Sequence, residues 1–214
     1  MRTGRDGYLA AIVAAESSDP LIPDALKVRI MRGLFFVHLY GAFEYSIDQT
    51  FIRLAQHISS RSVSHRHLNR PIFSVALDPQ FMALQDTSDW SKKYKKRYDT
   101  IETMDASSTA SIRDTVLSPG MQSINAATVS TAFTAYGISD RPFVDLPTRS
   151  YLDEVVEKRH AVAHGRAVTV GNVKSKELRK RYGSLQAQTT YVIDKVSDFM
   201  GAKRFVVARH RAKY

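Results

Sequence analysis

Through most of the chain the apolar positions recur at three- and four-residue steps, the spacing that places side chains on one face of an α-helix. Leu9, Ile12 and Val13 share such a face, so the spacing predicts a first short helix around Tyr8 to Ala15. Pro20 and Pro23 punctuate its end, with Pro23 placed just inside the start of a second helix. From Asp24 to about Ser59 there is no proline and only two glycines, and Ile30, Leu34, Val37, Leu39, Tyr40, Phe43, Ile47, Phe51, Leu54 and Ile58 sweep a broad arc. A helix apolar over so wide an arc is expected to be buried on more than one side. Glu44 and Asp48 fall inside that arc, and a carboxylate taken from water needs a cation or hydrogen-bond donors.

The pattern changes between His65 and Thr87. Asn69, Pro71, Asp78 and Pro79 bracket the short runs Ile72 to Leu77 and Phe81 to Leu84, which read as two short strands or an irregular flap. Trp90 to Met104 follows as a helix in which Lys92, Lys93, Lys95, Lys96 and Arg97 are interleaved with Tyr94 and Tyr98. Two readings stay open there: an RNA-facing surface, in which bases stack on rings and cations hold phosphates, or a solvated face with Tyr94, Tyr98 and Ile101 turned inward. A Ser118-Pro119-Gly120 break precedes a helix from Met121 to Tyr136, closed by Gly137. Arg141 to Pro147 is a proline-bounded connection, Tyr151 to His164 is an amphipathic helix stopped by Gly165, and Val168 to Gly171 is a short connection. Helical spacing returns from Ser175 to Met200, and Lys203, Arg204, Arg209, Arg211 and Lys213 make the last residues a basic tail without an acid.

The expected fold is therefore all-α: a helical bundle of about five to six helices with a short irregular or two-stranded excursion at about residues 65–87. The expected organisation is one domain over residues 1–200, with 65–115 as an insertion, and a basic tail over 201–214. Composition narrows the chemistry. The 214 residues contain no cysteine, which excludes disulfides, thiolate nucleophiles and cysteine-held zinc and suits a reducing, cytoplasmic setting. With 31 Lys and Arg against 21 Asp and Glu the formal charge is +10, which favours a polyanionic partner. No apolar run is long enough for a membrane helix. Near the start, Arg2 and Arg5 precede an apolar run as in a signal peptide, but Asp6 and Glu16 flank it, and an amphipathic helix is the expectation.

Candidate chemistry concentrates in Tyr151 to Arg166, YLDEVVEKRHAVAHGR. With Leu152 as origin, Val155, Val156, Val162 and Ala163 lie within about 80° on the helical wheel, and Arg159 lies in the middle of this apolar stripe. A guanidinium there is either satisfied by a buried acid, with Glu44 or Asp48 the natural partner, or exposed in a cleft. Asp153, Glu157, His160 and His164 share the adjoining face. His164 falls on the last turn, where an imidazole is accessible and the carbonyl end of the helix attracts a cation. His can move a proton near neutral pH, and Arg can hold a phosphate and neutralise charge growing in a transition state. The same column of His and acid could alternatively hold a metal, Arg159 and Glu44 could be a purely structural pair, and His160 an interface histidine. By spacing alone an Arg followed by His after four to six residues occurs four times, as Arg32/His38, Arg61/His67, Arg159/His164 and Arg204/His210. Only the third ends an acidic amphipathic helix at a glycine.

RHAVAHG resembles the Arg-x4-6-His motif of the HEPN superfamily of helical ribonucleases and nucleotide-binding domains. The segments LFFVHLYGAFEYSIDQTF, TAFTAYGI and LDEVVEKRHAVAHG are similar to the long first helix, the Gly-Ile helix end and the catalytic segment of its RiboL-PSP and MAE-type branch. That branch usually carries Asn after the arginine, where this chain has His160. The resemblance implies an all-α homodimer with a composite active site and a metal-independent endoribonuclease without cofactor, often a toxin or defence effector controlled by an antitoxin or another defence-system protein. It implies catalytic roles for Arg159 and His164, with Glu44, His160 and Asp48 in support. Lys174, Lys176, Arg179, Lys180, Arg181 and Arg166 are the expected RNA-backbone contacts, a solvated helix face being the other reading of the lysine- and arginine-rich segment. A catalytically inactive HEPN module that binds RNA, nucleotide or a protein is the alternative.

Overall fold

A computed structural model of the protein describes residues 2–18, 22–166, 170 and 172–214. Among the described residues the fold is all-α, with no strand and about ten helices where five or six were expected. The α-helices are α1 Arg2–Ala15, α2 Leu26–Ser60, α3 Phe73–Ala76, α4 Asp78–Gln85, α5 Trp90–Asp105, α6 Ser118–Met121, α7 Ala126–Tyr136, α8 Leu146–Ala163 and α9 Ser175–Gly201. Pro20 and, apart from Val170, the connection expected over Val168 to Gly171 lie outside the described residues. The chain forms two compact units, Met1–Ile47 with Ser123–Ala126 and Phe143–Tyr191, and Asp48–Gln122 with Ala127–Pro142 and Val192–Tyr214. The division falls within α2 and within α9.

In the first unit the buried apolar residues include Leu9 and Ile12 of α1, Phe35, Phe36, Leu39, Phe43 and Ile47 of α2, Leu152 and Val155 of α8, and Leu178 and Leu185 of α9. Leu34 and Val37, placed in the apolar arc of α2 by their spacing, face solvent instead. A charge lies among the apolar groups: Arg32 is 1% exposed. Its Nε and Nη2 donate to Glu16 at 2.8 and 2.5 Å, and Nη2 also donates to Asp24 at 2.8 Å. Asp24 accepts from the Ser17 N–H at 2.8 Å and from Lys174 Nζ at 2.5 Å. Glu16 accepts from the Ser175 N–H at 2.9 Å and its hydroxyl at 2.7 Å. The cluster thereby ties together the end of α1, the start of α2 and the start of α9. It also occupies the residues around Pro23, which stands ahead of α2 and not inside it.

In the second unit the segment expected as strands is helical. Asn69 caps a 3-10 turn by accepting the Arg70 N–H at 3.1 Å, and Pro79 stands in the first turn of α4. The turn residues of this segment are helix-start signals, because a proline in the first turn forfeits no helical hydrogen bond. Only the isolated bridges Ser64 to Thr109 and Leu68 to Val206 have β character. The helix expected from Met121 to Tyr136 starts only at Ala126, and Ser118-Pro119-Gly120, expected as a break, forms with Met121 the short helix α6. The basic C-terminal segment is packed: Phe205 and Val206 are buried, and the Val207 N–H donates to the His67 carbonyl at 2.9 Å. The His67 and His210 rings stack with centroids 3.9 Å apart.

α7 ends at Gly137, whose φ of 68° lets the Ile138 N–H reach the Phe133 carbonyl at 2.9 Å and its own N–H reach Thr134 at 3.0 Å. A Cβ at this position would stand 2.5 Å from Pro71 Cβ. At Gly165, where φ is 79°, a Cβ would meet nothing within 4 Å.

Two outcomes follow from these contacts. Arg32→Met strips a buried carboxylate pair of its central cation and is expected to lower unfolding free energy by about 3–5 kcal/mol in urea titration. Hydrogen bonds from Lys174 and Ser17, with Arg32, hold the Asp24 carboxyl well below its usual range, and Glu16 is also lowered because Ser175 and Arg32 outweigh its burial. Wild-type stability from these groups is therefore complete above about pH 4 and declines as pH falls further. Separately, Gly137→Ala should be more damaging than Gly165→Ala by thermal melting, since both bear the left-handed penalty of about 1–2 kcal/mol and only the former also clashes.

Candidate active site on α8

The position of α8 is determined by its two ends. Asp145 accepts the Thr148 N–H at 2.7 Å and Pro147 stands in the first turn, so the helix starts at Leu146, inside what the prolines had marked as a connection. At the other end the Gly165 N–H bonds to Val162 at 3.0 Å and the Arg166 N–H to Ala161 at 2.9 Å, a Schellman closure. This makes His164 the capping residue, with an exposed side chain at the carbonyl end of the helix.

Arg159 is half-buried, and its guanidinium carbon lies 5.3 Å from the centroid of the Tyr40 ring. Tyr40 is 1% exposed and donates its hydroxyl to Glu44 at 2.9 Å, one turn along α2. Burial, and then the Glu44 hydrogen bond, push the Tyr40 hydroxyl up to about 12, with Ser123 and the Ile124 N–H pulling the other way. The phenol therefore stays protonated at neutral pH. Glu44 thus supports Arg159 through an intervening ring, where a direct ion pair was one expectation, and among the described residues no carboxylate lies within ion-pair distance of Arg159. A guanidinium lying on an aromatic face is attracted by about 0.5–2 kcal/mol while its N–H groups remain available for an oxyanion.

The other expected residues divide clearly. His160 is exposed, with Nε2 3.4 Å from Ser123 Oγ. Asp48 lies one turn beyond Glu44 on α2 and is half-buried. No hydrogen bond, ion pair or ring contact joins Arg159 to His164; the ring of Tyr40 holds one, and the other faces solvent. Asp153 accepts the Ala126 N–H at 3.1 Å and so caps α7, which takes it out of the column of His and acid. Among the described residues no group of three or more His, Asp or Glu could hold a metal ion. Several expected RNA contacts are engaged within the protein. Lys174 pairs with Asp24, Lys180 pairs with Glu177 at 2.9 Å, and Arg181 is clasped by Glu177 and by Glu154 at 3.0 Å. Lys176, Arg179 and Arg166 point into solvent.

The remaining Arg/His spacings have other work in the structure. Arg32 is consumed by the buried cluster, His67 and His210 stack on each other, and Arg204 pairs with Asp140 at 3.3 Å. Tyr40 was the residue that sequence reasoning did not single out, although its position four residues before Glu44 was a visible signal.

The support beneath Arg159 can be tested by stability. Tyr40→Phe keeps the ring and removes only the donor to Glu44, an expected loss of about 1 kcal/mol in urea titration. Tyr40→Leu also removes the aromatic face and leaves a void, and should cost about 2–4 kcal/mol.

Comparison with known proteins adds one finding of wide coverage. No match to a curated protein or to a solved structure was found. A family model described as RiboL-PSP-HEPN matches residues 8–198, a span that includes the whole of α8 and its capping histidine. The chain belongs to the RiboL-PSP-HEPN family.

Proposed function

We propose that the protein is a metal-independent endoribonuclease that uses Arg159 and His164. The observation that carries this reading is the pairing, on one helix, of a guanidinium with no carboxylate partner among the described residues and an accessible helix-capping imidazole. In the proposed reaction His164 accepts the proton of a ribose 2′-hydroxyl, whose oxygen attacks the adjoining phosphorus. The bond to the 5′-oxygen of the next nucleotide breaks, and that oxygen takes up a proton. The products are a 2′,3′-cyclic phosphate and a 5′-hydroxyl end. Arg159 holds the phosphate and neutralises charge accumulating on its oxygens.

Because Arg159 and His164 do not touch, a dimer in which two such pairs line one cleft is part of the proposal. Apolar Leu34, Val37 and Tyr45, left exposed on the helix that carries Tyr40, support a second copy as the neighbour. His160, standing where the family usually has Asn, has a second imidazole to offer the departing oxygen. Lys176, Arg179 and Arg166 are proposed to hold RNA backbone, with Lys174, Lys180 and Arg181 shaping that surface through their ion pairs. The biological role proposed is that of a toxin or defence effector restrained by an antitoxin or another protein of the same system.

The test compares wild type with His164→Ala on RNA in the presence of EDTA. Cleavage by the wild type that falls at least about 100-fold in the variant is expected; cleavage that persists in the variant, or stops with chelator, rules the mechanism out. Expression of the wild type in bacteria should slow growth and the variant should relieve it. RNA binding without turnover would identify the non-catalytic alternative.

A further inference from the structure

α5 presents an aromatic stripe to solvent. Trp90 is 75% exposed, Tyr94 60%, Tyr98 63% and Ile101 61%, and they follow one another at steps of four, four and three residues, so all lie within about 80° of one face. The alternative of an inward-turned Tyr94, Tyr98 and Ile101 is excluded by this orientation. Four such groups aligned on one helix are more than scattered surface apolar residues. The surroundings of Trp90 and Tyr94 are cationic, whereas Tyr98 hydrogen-bonds to Glu102 and lies beside Asp99. Lys93 and Arg97 fall along one edge of the stripe, Lys95 lies beyond the other, Lys92 lies on the far side of the helix, and the Arg97 guanidinium carbon sits 4.9 Å from the centroid of the Tyr94 ring. Lys96 alone turns back, donating to the Ala83 carbonyl at 3.2 Å and to Thr87 Oγ1 at 2.7 Å. The Trp90 and Tyr94 rings meet edge to face at 6.0 Å.

We propose that this face of α5 is a stacking platform for single-stranded RNA. Aromatic faces accept any base while adjacent cations hold the backbone, and the platform's charge is complementary to a polyanion. The spacing selects the strand state. Residues four apart on a helix rise about 6 Å, wider than the roughly 3.4 Å between stacked bases, so the ladder fits bases splayed apart and not a continuous duplex stack. The inference rests on the reading of the protein as one that acts on RNA, and deepens it by naming a single-stranded substrate and a contact surface outside α8.

Trp90 is the chain's one tryptophan, so its fluorescence reports on the platform directly. The non-cleaving His164→Ala protein is titrated with a short oligouridylate and with an RNA duplex of equal length. Saturable quenching of Trp90 is expected, with the single strand bound at least about tenfold more tightly than the duplex. Trp90→Ala and Tyr94→Ala, followed by labelled RNA and checked for helicity by circular dichroism, should each weaken binding by about tenfold, while Tyr94→Phe restores it. Emission unchanged by bound RNA, no binding, equal affinity for duplex, or a Tyr94→Ala effect confined to the oligomeric state would overturn the platform. The two readings fail separately: quenching without cleavage by the wild type removes the catalytic reading alone, and cleavage with Trp90 silent removes the platform alone.

Discussion

A guanidinium removed from water must be met by charge and hydrogen bonds on every side, and Arg32 sets this constraint for the first unit. Its partners come from three places in the chain: Glu16 at the end of α1, Asp24 ahead of α2, and, through those acids, Lys174 and Ser175 at the start of α9. Loss of Arg32 would leave both acids without their shared cation. The cluster therefore does for the helix ends what apolar packing does for their middles. About two turns further along α2 stands Tyr40, the ring on which Arg159 rests.

The site on α8 uses its charges differently. Arg32 is enclosed by carboxylates, whereas Arg159 is supported by a neutral ring whose own polar end is held by Glu44. Direct pairing with Glu44 would have neutralised the guanidinium and consumed its donors. With the phenol between them, the guanidinium rests on the ring and Glu44 accepts from the hydroxyl, the arrangement that the proposed binding of a phosphate requires. Two of the three acids of α8 are engaged elsewhere, since Asp153 caps α7 and Glu154 holds Arg181, while Glu157 is exposed. Phosphate recognition is thus compatible with a helix rich in acid.

Much of this was legible from spacing. The long helix α2, the glycine closures at Gly137 and Gly165 and the all-α class follow from apolar steps and the φ demands of helix ends. The Arg-x4-6-His segment stood out because it combined an amphipathic stripe with a terminal glycine. What spacing could not give was which cation would be buried: Arg32 and Arg159 both sit among apolar neighbours, and the choice depends on acids distant in sequence, Glu16 and Asp24 for one and, among the described residues, none for the other. Prolines misled for a related reason. Pro79 and Pro147 mark the first turns of helices, but locally they look like breaks. The orientation of α5 was undecidable because its aromatic residues would satisfy a core face as well as an outer one.

In the proposed reaction His164 and Arg159 promote internal transesterification, in which the attacking oxygen belongs to the RNA itself. The most direct measurement is the mass of the fragments and the identity of their ends after digestion of a defined RNA by the wild-type protein. The account predicts a 2′,3′-cyclic phosphate on one fragment and a 5′-hydroxyl on the next. Fragments ending in a 3′-hydroxyl and a 5′-phosphate would mean that water attacks the phosphorus, and would contradict it.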